Sequence, residues 1–174
     1  MVVQTQMEVR ARVQKWDDIM ELVEKNEIDE IVGICRKMEE NEYIVFRDKL
    51  ISEMKHTENR CHRNTIATVL GDLKCNQAIS VIIELINKPE NRMCVGSLIY
   101  ALEELDCEHE IKNIIHVLFD GNFEAQYNTY SLLEQKVNSM NQEDKCACIT
   151  LVKQERHRLQ EKLDFITDIE EMLE

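Results

Sequence analysis

Residues 69–86 read VLGDLKCNQAISVIIELI, and residues 101–118 read ALEELDCEHEIKNIIHVL. At an offset of 32 residues, Leu70 falls on Leu102, Leu73 on Leu105, Cys75 on Cys107 and Ile79 on Ile111. The pair Ile82–Ile83 falls on Ile114–Ile115. Each copy holds two apolar-periodic segments separated by a short polar turn, which is the pattern of a helix pair. One such pair cannot bury both of its apolar faces, whereas stacked copies bury them against one another. The interval therefore predicts an all-α chain, built as a short α-solenoid of helix pairs.

Working outward, the first helix of this unit, NRCHRNTIATVLGDL, presents Ile66, Ala67, Val69, Leu70 and Leu73. Its second, QAISVIIELIN, presents Ile79, Ile82, Ile83 and Ile86, and Pro89 marks the stop. The unit restarts as NRMCVGSLIYALEEL and HEIKNIIHVLF, and a third copy begins at DGNFEAQYNTYSLLEQKV before degrading. Upstream, Val9, Val13, Trp16, Met20 and Val23 form an amphipathic stripe. Ile28, Ile31, Val32 and Cys35 mark a second helix, and Ile44, Val45, Leu50, Ile51 and Met54 a third. The expected organisation is one helical domain over 1–174. Residues 1–58 form N-terminal helices (a degenerate repeat or a cap), 59–140 the repeats, and 141–174 a long C-terminal helix.

That helix opens at NQED, with Asn141 as N-cap and Asp144 three residues on. Ile149, Val152, Leu159, Leu163, Ile166 and Leu173 then follow a heptad rhythm, interrupted by Arg156 and Glu170. A cap over the last repeat is the preferred reading, since solenoids need terminal caps. Homodimerisation through this helix is the alternative.

The segment TIATVLGDLKCNQAISVIIELI resembles the short HEAT-like repeats of the phycobilisome-lyase type. The resemblance spans residues 59–120. It departs from the family pattern where Gly71 is replaced by Glu103 in the second copy and where the usual aspartate-proline of the turn is absent. HEAT-like units serve mostly as protein-binding scaffolds, although relatives act on bilins or damaged DNA. The resemblance thus implies an architecture and, by analogy alone, a binding role.

Composition agrees with helices: the chain has a single proline and four glycines in 174 residues. Its net charge is −13, from 34 acidic and 21 basic residues. Such a surface repels a phosphate backbone, so no nucleic-acid partner is expected and a basic protein fits the sign better. Basic residues do gather at Lys153, Arg156, His157, Arg158 and Lys162, and at Arg60, His62 and Arg63, with acids between them. Seven cysteines, an opening without an apolar signal core and no apolar run long enough to cross a bilayer suggest free thiols in a reducing cytoplasm. Cys75 and Cys107, beside core leucines in both copies, read as packing residues.

No catalytic signature stands out. There is no G-x-S-x-G, phosphate-binding glycine loop or EF-hand loop, and HEIKN lacks the second histidine of H-E-x-x-H. Cys146 and Cys148 sit on different helical faces, and Cys61–His62 has no paired C-x-x-C. No enzyme activity, cofactor or metal is expected.

A partner-binding surface is expected on the second helix of each unit and the adjoining turn. With Ile79, Ile82, Ile83 and Ile86 buried, Gln77, Ser80, Glu84 and Asn87 face outward, and His109, Lys112, His116 and Phe119 match them in the next unit. Glu103, Glu104, Asp106, Glu108 and Glu110 add an acidic ridge suited to steering a cationic protein. The resulting expectation is a binding protein of the inhibitor or immunity type. Adaptor and ligand-handling roles are the alternatives.

Overall fold

The computed structural model describes the backbone of residues 2–174 and the side chains of residues 14–174. Val9 and Val13 of the predicted stripe lie outside the described side chains. The chain is all-helical, with no strand among the described residues. In order it forms α1 (Val2–Lys25), α2 (Ile28–Cys35), α3 (Glu40–His56), α4 (Arg60–Asp72) and α5 (Ile79–Ile86). There follow α6 (Gly96–Ala101), α7 (Ile111–Ile114), α8 (Val117–Asp120), α9 (Phe123–Lys136) and α10 (Gln142–Leu173). Single 3₁₀ turns lead into α5, α6 and α7. No described helix is long and apolar enough to cross a membrane.

The first helices of the repeated units lie side by side, α4 against α6 and α6 against α9. Ile66, Leu70, Leu98, Ile99, Leu102 and Leu105 are completely buried among them, and Ile82 closes the layer from α5. Polar links recur across the row between residues 28 to 33 positions apart. Asn64 Nδ2 donates to Ser97 Oγ, Asn76 Oδ1 accepts from the Asp106 amide, and Asn128 Nδ2 donates to the Gly96 carbonyl. Lys136 Nζ donates to the Leu105 carbonyl at 2.8 Å.

Two predicted apolar stripes shift. In α3, the predicted Leu50 and Met54 are buried, but Ile44 and Val45 are exposed and Phe46 is buried in their place. Phe46 takes the inward position because it meets Trp16 of α1, ring centroids 6.0 Å apart. In α1, the fully buried Ile19 joins the predicted Trp16, Met20 and Val23.

The second unit is also more broken than its pattern predicts. Residues 91–105 do not form one helix; only Gly96–Ala101 is helical. The cause is Arg63, buried on α4, whose guanidinium donates to the Asn91 side chain at 2.5 Å and to the Cys94 carbonyl at 3.0 Å. Asn91 Nδ2 in turn donates to the Leu85 carbonyl near the end of α5. These contacts hold residues 91–94 in a turn and give a buried cation its required acceptors. The second helix of the unit likewise divides into α7 and α8 at Ile115–His116.

The long final helix exists as expected, and the Asn141 side chain accepts from the Asp144 amide at 2.8 Å to cap it. It is buried against the rest of the chain only at its base. Only Asp144 and Cys148 are buried, and every side chain from Ile149 to Glu174 except Glu155 and Ile169 is exposed. The base alone offers an apolar mate, through Cys148 against Ile111, Ile115 and Met140.

Candidate partner-binding surface

The turns between first and second helices gather on one edge of the row. On it the Asn76 side chain binds Asp106 twice, through the Asp106 amide at 3.0 Å and the Asp106 carboxylate at 2.6 Å. Lys74 Nζ lies 3.3 Å from Glu104, and Ser139 Oγ lies 3.4 Å from Glu108. Glu110 accepts from the Asn113 side chain at 2.6 Å. Glu103 is half-buried on α6's trailing turn, where its amide donates to the Tyr100 carbonyl at 3.1 Å and its carboxylate has no ion pair among the described residues. Glu104, Asp106 and Glu108 of the predicted ridge are thereby tied to neighbouring turns through Lys74, Asn76 and Ser139.

Asp72, at the end of α4, extends this edge and was not anticipated. Burial pushes its carboxyl up from the ordinary value, and the nearby Asp29 and Glu104 carboxylates push it the same way against the pull of Arg36. Like charges crowded this closely are a signature of a surface that a cation would relieve. A cleft of about 460 Å³ opens beside it, bordered by Arg36, Met38, Glu40, Tyr43, Asp72 and Lys74. Burial pushes the Tyr43 hydroxyl up to about 12 and the Cys35 thiol up to about 11, so both are protonated at neutral pH.

The remaining predicted residues do not join this edge. Gln77, Ser80, Glu84 and Asn87 are exposed, as the pattern of α5 requires. Glu84, however, sits at the far end of α5 from the Asn76 turn, where it accepts from Lys55 at 2.7 Å and faces Lys88 at 3.7 Å. Those two ammoniums hold its carboxyl below the usual range, the Lys55 hydrogen bond being the larger cause. His116 lines a small cleft at that same end with Lys88, Arg92 and Asp120. Phe119 is half-buried in α8. The expected single surface is thus two edges, because helices of two turns carry their first and last residues to opposite sides of the row.

Lys112 is engaged within the chain. Its ammonium donates to Asp144 at 2.6 Å, while His109 Nδ1 lies 3.0 Å from the other carboxylate oxygen. Asn141 Nδ2 adds a third contact at 2.8 Å. The Lys112 bond, then the His109 and Asn141 contacts, hold the Asp144 carboxyl below its ordinary value. Lys112 is therefore a fastener between α7 and α10, and Asp144 could not be recognised from sequence because its partners lie 32 and 35 residues away.

Among the described residues, no three His, Cys, Asp or Glu side chains converge in a metal-binding group. Cys75 and Cys107 are buried, and burial raises both thiols, Cys107 to about 11. Along the edge the one base ion-paired to these acids among the described residues is Lys74. Comparison with family models, curated proteins and solved structures gave no match to this chain.

Proposed function

We propose that the chain is a non-catalytic protein-binding module, a short α-solenoid of HEAT-like helix pairs that captures a basic protein on its acidic turn edge. An inhibitor of the immunity type, occupying a basic toxin-like domain, fits this description. The observation that carries the reading is the run Asp72, Glu103, Glu104, Asp106, Glu108 and Glu110 on one edge, where Lys74 is the one base ion-paired to those acids among the described residues. The raised Asp72 carboxyl supports it, since a cation docked there would remove repulsion already present. The solenoid part is supported by the row α4, α6, α9 and by polar links recurring at nearly the repeat interval.

Affinity purification from the native source at low and moderate salt tests this reading, with the quadruple variant Glu103→Gln, Glu104→Gln, Glu108→Gln, Glu110→Gln in parallel. A basic protein recovered by the wild type and lost by the variant is the expected result. Equal recovery by both would sink the acidic-edge mechanism. A regulatory-scaffold role shares the same edge and is favoured by the exposed length of α10.

A further inference from the structure

α10 carries its charge in two blocks. From Lys145 to Lys162 it has five basic residues and two acidic ones; from Leu163 to Glu174 it has five acidic residues and no basic one. The first block borders an apolar groove of about 420 Å³, walled by Val137, Ile149 and Val152 and rimmed by Lys145, Lys153 and Arg156. The second block combines an apolar stripe, Leu163, Ile166 and Leu173, with Asp164, Asp168 and Glu170 around it. Leu159, Leu163 and Ile166 are each more than half exposed, at 53%, 56% and 52%. A contiguous apolar stripe of this kind marks an interaction surface.

The two blocks complement each other in charge and in apolar character, yet they cannot meet within one chain. The helix is unbroken from Gln142 to Leu173. At 1.5 Å per residue, Ile149 and Leu173 are about 36 Å apart along it.

We infer that α10 pairs with α10 of a second copy of this chain, in antiparallel orientation. Each acidic block then lies along the other copy's basic block and groove. The contact is isologous, so both groove and acidic stripe are covered twice by one two-fold operation.

Orientation follows from the two residues that interrupt the seam. Ile149, Arg156, Leu163 and Glu170 share one heptad position, and Val152, Leu159, Ile166 and Leu173 share the other. In a parallel pair Arg156 would face Arg156, Glu170 would face Glu170, and the acidic blocks would lie together. In an antiparallel pair the two heptad positions face each other, so Ile149 is level with Leu173 and Leu159 with Leu163 of the second copy; Arg156 then lies in the second copy's acidic block and Glu170 against its basic block, each twice. Seam charges set partner and orientation in such helices, and like charges placed opposite are costly.

Sedimentation velocity on the full chain across a concentration series tests the pairing, with Arg156→Glu and Glu170→Arg made singly. Both positions are exposed, and circular dichroism checks that each variant folds. The wild type is expected to dimerise, and each single variant to weaken the dimer by about tenfold or more. An equimolar mixture of the two variants is expected to dimerise better than either variant alone, since each altered charge then has an opposite one in the block it lies against. A wild type that stays monomeric well above micromolar concentration would overturn the inference and leave the stripe to a different protein. Single variants that dimerise as well as the wild type would overturn the antiparallel orientation.

Discussion

A Cβ placed on Gly71 would stand 2.6 Å from the carbonyl oxygen of Ala101, so α4 and α6 meet backbone to backbone at that point. The obstacle is main chain at the end of α6, which cannot rotate away as a side chain could. Gly71 thus lets α4 and α6 approach closely, and Glu103, its equivalent at the 32-residue offset, lies on the turn edge beyond α6.

Gly71→Ala should therefore destabilise the fold. Alanine gains about 1 kcal/mol of helix propensity over glycine, but forcing a methyl into a packed contact costs about 1–3 kcal/mol. The expected net effect is a lower urea midpoint with an unchanged slope. Gly96→Ala is the control: its Cβ would meet only the flexible end of the Glu124 side chain, so its loss should be smaller. Equal losses at the two sites would show that the α4–α6 approach does not control packing.

The base of α10 should loosen in acid. Asp144, held by Lys112 and then His109, has a carboxyl below its ordinary value of 3.8. A carboxylate whose folded value is depressed contributes stability that is complete above the unfolded value and is lost as pH falls through the folded one. Amide protection in the first turns of α10, taken relative to the intrinsic exchange rate at each pH, should hence be high and steady above pH 3.8 and fall below it. Asp144→Asn should raise exchange at neutral pH and flatten this acid dependence. An acid profile identical in the variant would assign the transition to other carboxylates.

The cysteines should divide sharply in reactivity. Cys61 and Cys146 are exposed, whereas Cys35, Cys75, Cys107 and Cys148 are buried with thiols raised by burial. The thiolate is the reacting form, so burial slows alkylation both by access and by protonation. Mass spectrometry after brief treatment of the native protein with iodoacetamide should find Cys61 and Cys146 modified first. Labelling of Cys107 at a comparable rate would contradict the packed position it occupies between units.

Much of this architecture is legible in residues 69–118. Periodicity belongs to one helix at a time, so Ile66, Leu70, Ile82 and Ile83, with Leu98 and Leu102 in the next copy, can be assigned inward without any tertiary information. The same is true of Asn141, because a cap is satisfied by amides two or three residues away. The two thiols Cys75 and Cys107 were readable as core for a related reason: each sits beside a core leucine at the same place in both copies.

Tertiary structure decided what depends on residues about thirty positions apart. The fate of Lys112 was set by Asp144, the broken start of α6 by the buried Arg63, and the inward turn of Phe46 by Trp16. The predicted binding residues separated into two edges because α5 and α7 are short, so their two ends come to lie beside different neighbours. A heptad rhythm, likewise, states that α10 has an apolar seam but not whether its own chain covers it. The sequence by itself determined which faces are apolar and where helices begin; the tertiary structure decided which charges find partners and which apolar faces stay open. The physical reason is range: hydrogen-bonded turns and helical periodicity act within a few residues, whereas ion pairs and burial depend on which distant segments come to lie side by side.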